Sequence, residues 1–231
     1  MEPVIVLDNI PFQADIEALM KQMHVQPDTS DAEDMQKMVA EVERIARPKA
    51  MYALRFIDSK DDDGVVVEGT RFSSRVLRVN LDKAERVFLY IATCGRELDD
   101  WAHTLDDPLH QFWAEAIKIQ ALGAASRMLT QHLTDTYQPG KTSDMNPGSL
   151  ADWPLREQRP LFRSLGDPFA TIGVELTASC LMVPNKSVSG IRFPTEESFA
   201  SCMLCPRPEC PNRRAPHDPV LFEQKYRKQA E

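Results

Sequence analysis

The chain of 231 residues sets 27 Lys and Arg against 35 Asp and Glu, giving a net charge of -8, and 42% of it is hydrophobic. That length can bury a real core in one large domain or two small ones. The acidic balance argues against a general nucleic-acid binder, whose affinity would rest on a basic face. No segment approaches the roughly 20 apolar residues that a membrane span requires.

The opening "MEPVIVLDNIPF" has an apolar run, residues 4–7, that is too short for a signal sequence and has no basic leader. A cytoplasmic location is therefore expected, with thiols kept reduced. Residues 3–7 read as a short strand and 11–24 as a first helix. Ser30 and Glu33 form an S-x-x-E capping box. The helix it opens places Met35, Met38, Val39, Val42 and Ile45 at the spacing of a packed face, and stops before Pro48. The runs "AMYALRFID" (50–58) and "GVVVEG" (64–69) read as strands joined by the acidic turn "KDDDG". The three aspartates 61–63 read as a solvated hairpin tip, since no further spaced acids complete a calcium loop.

"RVFLYIATCGRELDDW" (86–101) reads as a buried strand, a Thr-Cys-Gly turn and a helix. Residues 107–137 can form one long helix, with Phe112, Ala116, Ile119, Gly123 and Ala124 available to pack on a sheet. Residues 138–153 have the Pro, Gly, Asn and Ser content of a long ordered loop, a place where function commonly sits. A shorter helix, 154–165, opens at Pro154. "GVELTASCLMVP" (173–184) and "SVSGIRF" (187–193) read as a hairpin around "NK", with Cys180 on the apolar face of its first strand. The closing "FEQKYRKQAE" reads as a frayed polar helix.

Three of the five cysteines, Cys202, Cys205 and Cys210, fall within "SFASCMLCPRPECPNRRAPH" (198–217). In a reducing compartment such a C-x2-C-x4-C cluster points to metal or redox chemistry rather than disulfides, and an odd total fits a disulfide framework poorly. Thiolate-rich sites suit an iron–sulfur cluster or zinc, and the spacing alone does not separate them. Prolines 206, 208 and 211 stiffen the loop, while Arg207, Arg213 and Arg214 would offset thiolate charge. For a fourth ligand the sequence offers Cys180 first, then His217 and Cys94, or a vertex left open to a small molecule or substrate. Cys94, in a tight turn after a buried strand, reads as structural, while His103, His110 and His132, at helical positions with no acidic or cysteine partner at ligand spacing, read as solvent-exposed or capping. Trp113 and Trp153 could stack on a planar cofactor, with packing the default reading for both.

The motifs "ATCGRELD", "NPGSLADWPLREQRPLF" and "IGVELTASCLMVPNKSVSGIRF" together resemble the activation (reactivation) domain of cobalamin-dependent methionine synthase, over about residues 48–214. The similarity is greater to stand-alone versions of that domain. It implies an α+β fold, with a mixed or mainly antiparallel sheet flanked by helices. The implied organisation is an N-terminal helical segment (1–47), an activation-domain-like unit (48–194) and a Cys-rich metal-binding tail (195–231).

The resemblance further implies a reactivation protein for a cobalamin-dependent methyltransferase, methionine synthase or a related corrinoid protein. Cobalt(I) on that partner is prone to oxidation to inert cobalt(II), and recovery takes one electron and a methyl donor. It also favours iron over zinc in the cysteine cluster. The family's adenosylmethionine motif, Arg-x-x-x-Gly-Tyr, matches here at Gly148 only, with Asp144 at the arginine position and Ser149 at the tyrosine position. An acid in place of the arginine turns charge-assisted pairing with a carboxylate into repulsion. Adenosylmethionine binding then falls to Pro147, Gly148, the adjacent backbone and Lys141. Two other readings stay open: a non-catalytic docking module for a corrinoid protein with a structural zinc, and an iron–sulfur electron carrier.

Overall fold

The computed structural model describes residues 2–210 and 213–227. At its centre is a seven-stranded sheet in the order β4-β3-β2-β5-β9-β6, with β1 added along β2. The strands are β1 (Ile5–Leu7), β2 (Lys49–Lys60), β3 (Gly64–Val67), β4 (Thr70–Ser73), β5 (Arg86–Thr93), β6 (Thr142–Met145) and β9 (Ser187–Pro194). Every pairing in this sheet is antiparallel. Strand β5 lies in the middle and is buried along its length after Arg86, which explains the unbroken apolar run in its sequence.

Alternation along β2 divides its side chains between two cores. On one face Ala50, Tyr52 and Leu54 join Phe88, Tyr90 and Ala92 beneath helix α5 (Pro108–Tyr137). The small Ala124 and Ala125 let that helix lie close on the sheet. On the other face Met51, Ala53, Leu89 and Ile91 meet Val76 and Leu77 of α3 (Arg75–Asn80) and Leu161 of α6 (Gln158–Ser164). A third cluster is helical: α1 (Ile16–Gln22), α2 (Ser30–Ile45), α4 (Arg96–Ala102) and the first half of α5 enclose Leu19, Met35, Met38, Val42 and Trp101. The methionine stripe is core, as its spacing predicts.

Several boundaries depart from the sequence reading. Helix α1 is shorter than 11–24 because Asp15 caps it, accepting the Ala18 N–H at 2.9 Å. The cap of α2 is Thr29 rather than Ser30; its hydroxyl accepts from Ala32 N. Phe112 and Ile119 do not pack on the sheet and are 60% and 51% exposed. They lie on the outer side of α5, whose inner side carries Trp113, Ile117 and Ala121 into the helical cluster.

The expected 173–184/187–193 hairpin is also absent as such. Strand β7 is only Glu175–Leu176 and pairs with β8 (Met182–Val183), while β9 crosses to the sheet centre between β5 and β6. Cys180 consequently sits in a turn, at a φ of 65°, not on a strand face. Thr177 builds that turn by accepting the Leu181 N–H on its hydroxyl at 3.0 Å. The terminal segment is anchored more firmly than a frayed helix: within a helical turn (Phe222–Tyr226), Tyr226 is buried and donates its hydroxyl to Asn80 Oδ1 at 2.9 Å. Residues 228–231 of that expected helix lie outside the described residues.

Candidate functional site

The cysteine segment begins in a short 3-10 turn (Ser201–Leu204) that follows the sheet's last residues. Phe199 and Leu204 pack against the main core and fix the segment to it. Beyond that turn the loop closes around one guanidinium. Arg213 donates to the carbonyls of Cys202 (3.2 Å), Ala215 (3.3 Å) and Cys205 (3.5 Å), and to that of Arg207. The Cys202 sulfur accepts the Arg214 backbone N–H at 3.4 Å. That hydrogen bond, reinforced by the Arg214 charge, holds the Cys202 thiol below the ordinary cysteine value. Cys205 and Cys210 are half-buried, and all five cysteines are free thiols. His217 is exposed.

The other two cysteines lie in quite different surroundings. Burial pushes the Cys94 thiol up to about 12, and it packs in the helical cluster, as its structural reading requires. Cys180 is buried and its sulfur accepts from Arg159 Nε at 3.1 Å, with Arg159 Nη2 also on Ala178 O. Three soft donors in one loop have the right chemistry for iron or zinc. Their arrangement does not: among the described residues no three His, Cys, Asp or Glu side chains gather as a metal site. Carbonyls of the loop instead face the Arg213 guanidinium. Pro211, expected to stiffen the loop, lies outside the described residues.

A second polar site lies at the open edge of the sheet. Asp144 on β6 pairs with Arg192 on β9 in a two-pronged contact, Nε to Oδ1 at 2.7 Å and Nη2 to Oδ2 at 3.0 Å. Arg192 also donates to Thr130 Oγ1 on α5 at 2.8 Å and lies over the Tyr90 ring, 5.6 Å from its centroid. Asn146 Nδ2 reaches the Tyr90 hydroxyl at 2.9 Å and Ser189 O at 2.8 Å. Burial holds the Tyr90 phenol above its usual value, so it stays protonated. Gly190 makes room for this cluster, because a Cβ there would meet Asn146 Nδ2 at 2.5 Å and Met145 O at 2.6 Å.

Pro147 and Gly148 form the turn that follows. Ser149 N donates to Asn146 O at 3.1 Å and Gly148 has a φ of 85°, the geometry in which proline leads and glycine takes the positive φ. A Cβ on Gly148 would meet Leu155 Cδ1 at 2.8 Å, so that glycine also serves close packing. Pro147 is buried, and Ser149 is exposed. Lys141 is placed differently: its ammonium donates to Glu196 O at 3.3 Å and lines a cleft of about 960 Å³ between α3 and the end of β9. The remaining candidates are occupied. His132 Nε2 lies 3.0 Å from the Tyr52 hydroxyl, and His103 Nδ1 2.7 Å from Asp99 O. Trp113 and Trp153 are buried in the cores.

Sequence reasoning missed Arg192, Asn146 and Tyr90. The one local signal was an arginine inside "SVSGIRF", a run otherwise fit for burial.

The architecture is α+β, a seven-stranded antiparallel sheet flanked by helices, with a polar pair reaching its edge strand. Among solved structures this chain is similar to the crystal structure of the MetH reactivation domain bound to AdoHcy. The TM-score is 0.62 and identity 16%, covering 87% of this chain and 81% of that one. The shared property at that identity is the fold, which is the one the sequence motifs imply. No protein-family model matches the chain, and no curated protein matches it.

Proposed function

We propose that this protein supports reactivation of a cobalamin-dependent methyltransferase by docking over its corrinoid. The observation that carries the reading is the fold similarity over 87% of the chain to a reactivation domain, joined by the motifs around the Asn146–Ser149 turn. In this reading the sheet edge, with Asp144, Arg192 and the Pro147 and Gly148 turn, faces an adenosyl-type methyl donor. Backbone groups of the turn take the nucleoside end. Arg192 is the cation available for the amino-acid carboxylate, and Asp144 competes for it. Adenosylmethionine is therefore held weakly until Arg192 is released.

The corrinoid belongs to the partner, and the chain's own residues bind, orient and shield it from water. In this reading the electron comes from outside the chain, the cysteine loop being closed on Arg213. The alternative, in which Cys202, Cys205 and Cys210 hold an iron–sulfur cluster or zinc with Cys180 as fourth ligand, has one favouring observation: the Cys202 thiol is held toward its thiolate. It requires the loop to open off Arg213.

The test is to mix the protein with a cobalamin-loaded methyltransferase and record the corrin absorption spectrum. A cap over cobalt displaces or excludes an axial ligand, so the spectrum shifts on binding. Equal affinity for the partner with and without cobalamin, and no spectral change, overturns the cap and leaves a docking module.

A further inference from the structure

The cleft beside Lys141 belongs to neither the sheet-edge pair nor the cysteine loop. It is built where α3 and the turn after it face the end of β9 and the terminal helical turn, and it encloses about 960 Å³. That is the size range of sites for nucleotide-sized ligands. Its charge is opposite to that of the whole chain. Five of its lining side chains are basic and three acidic, within a protein of net charge -8.

The basic groups approach from separate segments: Arg75 and Arg78 from α3, Lys83 from the following turn, Lys141 from the approach to β6, and Lys225 from the terminal turn. Two of them, Arg75 and Lys141, are held by backbone carbonyls alone. Arg75 donates to Tyr226 O at 3.2 Å and Asp62 O at 2.6 Å, and Lys141 to Glu196 O at 3.3 Å. These bonds fix the side chains while leaving their charge uncancelled. Lys83 and Glu196 approach only to 3.8 Å, with side chains 88% and 91% exposed. Such a pair contributes little and yields readily to a stronger anion. Arg78 and Lys225 are committed to Asp82 and Glu197, each at 2.6 Å. Between the charged walls Val79, Ala84, Pro139 and Pro194 supply an apolar strip.

We propose that this cleft binds a phosphate-bearing small molecule of nucleotide size, its phosphates between Lys83, Lys141 and Arg75 and its ring on the apolar strip. Cations arriving from three directions match several anionic oxygens on one group better than a single carboxylate. The inference goes beyond the reactivation reading and is tested without any corrinoid partner.

Calorimetry with the full chain and ADP, pyrophosphate and adenosine separates the parts. ADP and pyrophosphate bind, and adenosine alone binds at least about tenfold more weakly than ADP, because the phosphates carry most of the affinity. The double variant Lys83→Glu, Lys141→Glu weakens ADP by at least about tenfold. Lys37→Glu, on distant α2, leaves it unchanged. Lys83 and Lys141 are exposed, so a thermal melt of the double variant matches that of the unaltered protein. No heat from ADP or pyrophosphate up to about 1 mM, or equal affinity in the double variant and Lys37→Glu, overturns the proposal.

Discussion

Asp144 and Arg192 lie 48 positions apart in sequence and meet across two neighbouring strands. The aspartate stood out in the sequence as a departure from the motif it otherwise resembles. Its partner did not, because no local period encodes which strand pairs with β6. The glycine of "SVSGIRF", Gly190, is required because the Tyr90 hydroxyl and Asn146 lie across it. Replacing Asp144→Asn keeps the side-chain volume and one acceptor but removes the charge. The part-buried pair then loses about 1–3 kcal/mol, and the melting temperature falls by several degrees, read by thermal denaturation. The same change frees Arg192 toward a carboxylate, so calorimetry with AdoHcy shows binding tightened by roughly tenfold. A drop in stability with no gain in binding makes the pair a structural tie and removes the sheet edge as the methyl-donor site.

At the scale of elements, what could be read depended on whether a local signal chose the outcome. Helix α5 is legible at its start: Asp107 caps it through the Leu109 N–H at 2.7 Å, and Pro108 opens it. Its contact face was not legible, since apolar residues lie on most sides of it and Phe112 and Ile119 look as buriable as Trp113. The β7 and β8 segment alternates like one long strand, yet the Thr177 hydroxyl diverts the chain into a turn. The cysteine loop lacks any period; Arg213 stood out only as charge beside the thiols, and no local signal encodes its grip on the loop carbonyls.

Three outcomes separate the roles of that loop. If it opens to hold a cluster, protein prepared anaerobically contains iron and acid-labile sulfide. Both are then lost in Cys202→Ser, Cys205→Ser or Cys210→Ser, because a hard alkoxide poorly replaces a soft thiolate. Cys94→Ser retains them, and Arg213→Ala binds at least as much metal, its loop no longer being held closed. One zinc per chain without sulfide turns the cysteines into a structural clip. Absence of metal in both the unaltered chain and Arg213→Ala ends the metal reading.

Across the whole molecule, the helical cluster is tied to the loop before β9 by one charge network that runs from the buried Lys118 out to the half-exposed Glu115. Lys118, 2% exposed on its side chain, holds Asp99 at 2.8 Å and Glu115 at 2.5 Å. Glu115 also takes Lys186 at 2.7 Å and Asn185 at 3.0 Å, joining α5 to the loop that leads into β9. Burial opposes the charge on Glu115, but the two lysines outweigh it and hold its carboxyl down to about 2. A carboxyl depressed in the folded state adds stability above its unfolded value, and that stability is lost as pH falls through the folded value. The protein should therefore weaken between about pH 4.5 and pH 2, the interval set by the ordinary and folded values of Glu115. Urea unfolding followed across that interval gives the slope. Glu115→Gln lowers stability at pH 7, where the charge is lost, and flattens the acid limb, because one proton fewer is taken up on unfolding. An acid limb as steep in Glu115→Gln as in the unaltered chain would place the acid sensitivity in other carboxylates. The link from α5 to β9 would then rest on packing rather than on charge.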